Sequence, residues 1–269
     1  MRKTGANPFR LVRVGRRLHR KLGGRSVSVA LISLILFDPA AAHAQATLRC
    51  RHFTHDQIAA PEPREARWPV SRFEQINEAV KTRPHRVLLL GDSLTERFPH
   101  DAPRVWRDKM VPRQVLNAGV SGDRTEHLLW RMQHGNLAGP APRAAVLLIG
   151  TNDLGHGRTP EEVAEGIRAD LLYLRQRLPK TRILLLGLWP RAESPQARLR
   201  RDTVAVNRLI RHCGDDRTIV YADLGGVLLE RDGRLSREIS PDLLHFSEAG
   251  YARLAPRLVT LIDDLVAAR

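Results

Sequence analysis

The sequence predicts an α/β fold: a helix, sheet and helix sandwich in three layers, with a central parallel sheet of about five strands. Three observations carry that expectation. Residues 87–90, 145–149 and 183–188 are continuous apolar runs, not alternating ones, the pattern of strands buried on both faces of a parallel sheet. Helical stretches separate those runs, which implies right-handed crossovers between parallel neighbours. Every conspicuous polar cluster is read as falling at a strand end, and in such sheets sites form beyond the carboxyl ends of the strands.

Taken from the start, residues 1–44 have the parts of an export signal. A long basic stretch precedes an apolar run over 27–37, then Pro39 and the small-residue site Ala42-His43-Ala44, so cleavage is expected after Ala44. The pair Arg16-Arg17 does not decide the export route. The apolar run is too short to span a bilayer, so an uncleaved segment would be at most a tether. Residues 45–67, rich in Pro, Arg, Ala and His, read as a linker or wrapped arm, and the domain is expected over 68–269.

Within that domain Phe73, Ile76 and Val80 recur at helical spacing before the first strand. Residues 115–117 and 219–223 are weaker strand candidates. The clearest helix opens on Thr159-Pro160-Glu161-Glu162, an N-cap, a proline at the first helical position and the acid of a capping box. Val163, Ile167, Leu171, Leu174 and Leu178 form its stripe. Residues 199–212 and 247–267 are further helices, the last with Tyr251, Leu254, Leu258, Leu261 and Leu265 on one face and Pro256 as a candidate kink.

The net charge of +15 is unevenly placed: residues 1–44 hold nine Lys/Arg against Asp38 alone, leaving +7 for the remainder. There the arginines are interspersed with acids and lack interleaved aromatics, which argues against a nucleic-acid partner. Cys50 and Cys213 are the two cysteines; they can close a disulfide in an oxidising compartment, or stand as two buried thiols.

The chemistry-bearing clusters are Gly91-Asp92-Ser93-Leu94, Ser121-Gly122-Asp123, Gly150-Thr151-Asn152-Asp153 and Asp242-Leu243-Leu244-His245. A serine at a strand-to-helix turn projects its hydroxyl into the crevice, so Ser93 is the candidate nucleophile. Two residues separate Asp242 from His245, close enough for the carboxylate to hold the imidazole and leave its far nitrogen for the serine. The Ser93 and Gly122 backbone N–H groups and the Asn152 amide are candidate oxyanion donors. Asp92 and Asp153 are read as supports of their own loops.

In order and spacing these four clusters resemble the four sequence blocks of the SGNH (GDSL-type) hydrolases. Residues 117–123, 127–132 and Gly187-Leu188-Trp189-Pro190-Arg191 resemble the branch that contains the catalytic subunits of intracellular platelet-activating factor acetylhydrolase. The resemblance implies a flavodoxin-like fold and hydrolysis of carboxylic esters without a metal or organic cofactor. The expected substrate is a short acyl ester, acetyl above all, of an extracytoplasmic carbohydrate or a small molecule. An acyltransferase acting on a polysaccharide and a catalytically silent binding module are the alternatives.

Other residues receive plainer readings. Ser121 is a turn serine, and His52 and His55 are solvated histidines of the arm, not metal ligands. Trp130 is a core anchor, whereas Trp189, in a loop after a strand, is expected to line the substrate cleft.

Overall fold

The computed structural model describes residues 60–268. The expected export signal, its cleavage point after Ala44, and Cys50, His52 and His55 in the arm lie outside the described residues.

Helix α1 (Arg67–Thr82) leads into β1 (Val87–Gly91), whose five residues are all buried. The other strands are β2 (Val115–Gly119), β3 (Ala144–Leu148), β4 (Arg182–Leu186) and β5 (Ile219–Ala222). All pair in parallel, in the order β2-β1-β3-β4-β5. Thus both strong and weak strand candidates pair, with ends shifted by a residue or two. Leu90, Leu147 and Leu184 are fully buried, each contributing about 1.5–3 kcal/mol relative to exposure.

The strand order reverses between β1 and β3, and in open α/β sheets the carboxyl ends of the strands at such a reversal are where ligands bind. The turns leading out of these strands are short. Helix α2 (Ser93–Glu96) follows β1 at once, α3 (Thr125–Arg131) follows β2, and α4 (Thr151–Gly155) follows β3. Gly91 faces Gly119 across β1 and β2. A Cβ on Gly119 would lie 2.3 Å from the Glu96 nitrogen, so the bare backbone is what lets α2 settle onto the sheet.

The longer helices are α5 (Pro160–Arg177), α6 (Arg198–Ile210) and α7 (Glu248–Ala267). The capping box forms as the sequence predicts: Thr159 Oγ1 accepts the Glu162 N–H at 3.3 Å, and Glu162 Oε2 accepts the Thr159 N–H at 2.7 Å. In α7, which continues through Pro256, Ile262 is buried alongside Tyr251, Leu254, Leu258 and Leu265, and Leu261 is only partly buried. No helix among the described residues is long and apolar enough to cross a membrane.

Strand β2 stands at the sheet edge, where exposed peptide groups invite pairing with other chains. Arg72 of α1 covers part of it, donating to Asn117 O at 2.8 Å and Gly119 O at 3.2 Å. Asn117 Oδ1 accepts the Gly119 N–H at 3.0 Å. Beyond α6, Cys213 is buried and disulfide-bonded.

Candidate active site

Ser93 is the first residue of α2, where a backbone N–H has no intrahelical acceptor. Asp92 caps the helix: its Oδ1 accepts the Leu94 N–H at 2.9 Å. The carboxyl is fully buried, and among the described residues its Oδ2 has no hydrogen-bond partner. Burial first, and then the nearby Asp123 and Asp153, push Asp92 up to about 7, against the pull of the Leu94 N–H and Arg131.

Ser93 Oγ lies 2.9 Å from His245 Nε2, and His245 Nδ1 lies 2.6 Å from Asp242 Oδ2. Partial burial acts upward on Asp242. The bonds from the His245 ring, the His245 N–H and the Leu244 N–H outweigh it and hold the carboxyl below its usual range. An ionised carboxylate can only accept, so the proton between them resides on Nδ1, and in the neutral ring Nε2 is then free to accept from the serine hydroxyl. The remaining oxygen of Asp242 accepts the backbone N–H groups of Leu244 at 3.0 Å and His245 at 2.7 Å, which folds the carboxylate back beneath its own histidine.

Residues 120–123 form a tight turn closed by the Asp123 N–H donating to Val120 O at 3.1 Å. Gly122 has φ +80°, the left-handed conformation that the third position of a type II turn demands. Asn152, in α4, donates one amide hydrogen to Asp123 O at 2.9 Å, leaving the second for a ligand. Asp123 therefore organises two of the three expected oxyanion donors, Gly122 and Asn152. Its own carboxylate is fixed by Arg131, whose Nε donates at 2.6 Å while Nη2 donates to Gly91 O at 2.8 Å.

Two sequence expectations change. Asp153 supports its own loop only through Arg158 and makes its other bonds elsewhere. It reaches the start of α3, accepting the Thr125 hydroxyl at 2.8 Å and the Thr125 N–H at 3.2 Å, and it pairs with Arg158 at 3.2 Å. Trp189 does not line an open cleft: it is 4% exposed and packs edge-on against Phe246 at 5.6 Å and Tyr251 at 6.1 Å, behind the His245 loop. Phe246, just before α7, and Tyr251, within it, take up the apolar faces of the indole. Ser121 sits in the turn, its N–H donating to Glu96 Oε2 at 2.5 Å.

Sequence reasoning missed the loop after β4. Arg191 donates to Thr151 O at 2.7 Å, steadying the turn that carries Asn152. The Ala192 N–H donates to Leu243 O at 2.9 Å, steadying the Asp242 to His245 segment. The one sequence signal was that Arg191 ends one of the stretches carrying the family resemblance. Near the site, ligand atoms of Glu62, Glu126 and His127 come within 4.8 Å of one another. Arg124 and Arg158 already pair with Glu126, and His127 Nδ1 accepts the Arg124 N–H, so this is an ion-pair network with cations in the place a metal would need.

A serine, histidine and carboxylate in sequence at the carboxyl end of a parallel sheet, facing amide donors, constitute machinery for acyl transfer. Residues 89–253 match the family model described as GDSL-like Lipase/Acylhydrolase. The chain belongs to that family. As a member of it, the enzyme is an ester hydrolase. It is 34% identical over 201 residues to platelet-activating factor acetylhydrolase IB subunit alpha2 of Homo sapiens, covering 74% of this chain and 85% of that one. The human alpha1 subunit is 35% identical over 206 residues, covering 76% and 86%. Among solved structures, a GDSL-like lipase from Bacteroides thetaiotaomicron superposes with a TM-score of 0.56 at 18% identity, covering 72% of this chain and 97% of that one. An acetyl-xylooligosaccharide esterase variant from Geobacillus Stearmophilus gives 0.53 at 18% identity, covering 71% and 97%. At those identities the two structures support the fold alone.

Proposed function

We propose that this enzyme hydrolyses short acyl esters, acetyl above all, through an acyl intermediate on Ser93, and that it acts outside the cytoplasm on an acylated carbohydrate or small ester. The observation that carries the reading is the relay from Ser93 Oγ to His245 Nε2 at 2.9 Å and from Nδ1 to Asp242 at 2.6 Å. His245 takes the Ser93 proton as Oγ attacks the ester carbonyl, and Asp242 stabilises the imidazolium that forms. The Ser93 and Gly122 N–H groups and the Asn152 amide receive the oxyanion. His245 then returns its proton to the departing alcohol. Water, activated by the same histidine, releases the acid and frees Ser93.

Acetyl is favoured because relatives at 34–35% identity are acetylhydrolases. It is also favoured because the turns at residues 120–124 and 149–150 leave little chain from which to build a deep acyl tunnel. The extracytoplasmic site of action rests on the basic, apolar and small-residue order of residues 1–44.

Ser93→Ala should abolish turnover of p-nitrophenyl acetate while the circular dichroism spectrum is unchanged, a loss of several orders of magnitude. Retained turnover refutes Ser93 as nucleophile. Acetylated polysaccharides and acyl esters of increasing length, with and without a sugar acceptor, separate the remaining possibilities. Acid release independent of acceptor supports a hydrolase, and a strict need for the acceptor supports a transferase. Activity that climbs steadily with each added methylene, which gains about 0.8 kcal/mol only where it is buried, refutes the short-acyl preference.

A further inference from the structure

We propose that Arg64, in the arm that precedes the matched hydrolase region, is a positioning residue of the oxyanion turn, so that the arm is part of the working site. The inference rests on the acyl-serine reading above.

The Arg64 guanidinium packs on the bare face of Gly122. Its Nη1 and Nη2 lie 3.1 and 3.2 Å from the point where a Cβ would stand on that glycine. Its Nη1 is also 3.7 Å from Asp123 Oδ1. That oxygen is fully buried and makes no hydrogen bond among the described residues, whereas Oδ2 is bonded to Arg131. Asp123 is thus held from one side by Arg131 and faced from the other by Arg64. Its main-chain oxygen is the acceptor that orients Asn152, and its N–H closes the turn that presents Gly122.

The arm is anchored on both sides of Arg64. Upstream, the Glu62 N–H donates to Glu126 O at 3.3 Å, and the Glu62 carboxylate lies 3.9 Å from Arg124. Downstream, the chain enters α1 at Arg67. A side chain held between these points is placed by the backbone and does not drift on the surface. It is 28% exposed. The guanidinium performs two tasks here. Its plane closes the side of the turn that a glycine leaves open, and its positive charge stands beside the loop that receives the negative charge of the transition state. Both act on chemistry more than on ground-state binding, because the oxyanion exists only after attack.

The test uses the full chain with p-nitrophenyl acetate and a fluorophosphonate probe. Arg64→Ala should lower kcat by between about ten- and a hundredfold, the scale of a misplacement on the order of 1 Å. KM should stay within about twofold and the thermal midpoint within about 2 °C, because a partly exposed arm residue carries little of the fold. Arg64→Lys, which keeps the charge without the planar fork, should recover part of the loss, and millimolar methylguanidine should rescue Arg64→Ala saturably. The rate of fluorophosphonate labelling at Ser93 should fall with kcat, since that reaction also builds charge in the oxyanion hole. Wild-type kcat and labelling in Arg64→Ala overturn the proposal. So does a loss that tracks a lowered thermal midpoint and resists methylguanidine, which would mark a purely structural arm. A wild-type chain that reacts with neither ester nor probe overturns the functional reading and this inference together, whereas an active chain indifferent to Arg64 overturns this inference alone.

Discussion

Replacing Asp92 with Asn should remove a pH-dependent loss of stability without disturbing the helix cap. The Asp92 carboxyl is fully buried, and one oxygen already accepts the Leu94 N–H at 2.9 Å, a bond the amide oxygen of Asn can also accept. Burial pushes its pKa in the folded protein up to about 7. An acid whose pKa is higher folded than unfolded binds its proton more tightly in the native state. Stability is therefore greatest below the unfolded value, falls as pH rises toward about 7, and is level above it. At 1.36 kcal/mol for each pH unit between the ordinary value and about 7, the whole loss is about 4 kcal/mol. The assay is urea unfolding of wild type and Asp92→Asn at pH 4, 5, 6, 7 and 8. The variant's stability relative to wild type should climb by up to about 1.4 kcal/mol per pH unit and level off near pH 7 to 8. Comparing the two proteins cancels titrating groups that do not act on Asp92, such as the buried Asp170, which burial also raises. A difference that stays constant from pH 4 to pH 8 refutes the reasoning and means that Asp92 is ionised throughout.

Two further substitutions address the reaction itself. Asn152→Ala should lower kcat by about 10²–10³ with KM little changed, because the free amide hydrogen acts on the oxyanion; steady-state kinetics that show the loss in KM alone would remove Asn152 from that role. Asp242→Asn keeps an oxygen for the Leu244 and His245 N–H groups but turns an N–H toward His245 Nδ1, forcing the proton onto Nε2, where it blocks the base. A kcat lower by between about 10² and 10⁴ is expected, the lower end applying if water reaches the half-exposed carboxylate; a loss under about tenfold in a kcat–pH profile would show that the tautomer does not depend on Asp242.

The sheet was legible because its strands are buried on both faces: a run such as Val87-Leu88-Leu89-Leu90 has few other uses in a chain of this size. Three of the four polar clusters were legible because short turns tie them to strand ends, so that locating a strand also locates its cluster; the Asp242 to His245 segment follows no strand directly. Side chains that reach far in sequence were not. Asp153 bonds Thr125 across 28 residues, and Arg131 bonds Gly91 O across 40. Such bonds leave no periodic trace, and an arginine that donates to backbone carbonyls constrains no particular residue type at the other end. Trp189 was misplaced for a related reason. Its position after a strand suggested a cleft, but two aromatic rings from a segment far along the chain, Phe246 and Tyr251, pack edge-on against it.

The loop after β4 shows why the site needs those invisible contacts. Ser93 and His245 are 152 residues apart, and α2 and the Asp242 to His245 segment share no strand pairing that would fix their separation. Ala192 has φ +65° and Leu243 φ +62°, conformations that cost side-chain-bearing residues on the order of 1 kcal/mol or more each. The two are joined directly, by the Ala192 N–H to Leu243 O bond at 2.9 Å. Arg200 of α6 holds the same loop from beneath, donating to Arg191 O at 3.0 Å and Ala192 O at 2.5 Å, while Arg191 reaches to Thr151 O. One loop therefore moors both the turn that carries Asn152 and the segment that carries the acid and base. The strain sits where the halves of the site meet, with Arg200 holding the Ala192 carbonyl and the Ala192 N–H holding that of Leu243.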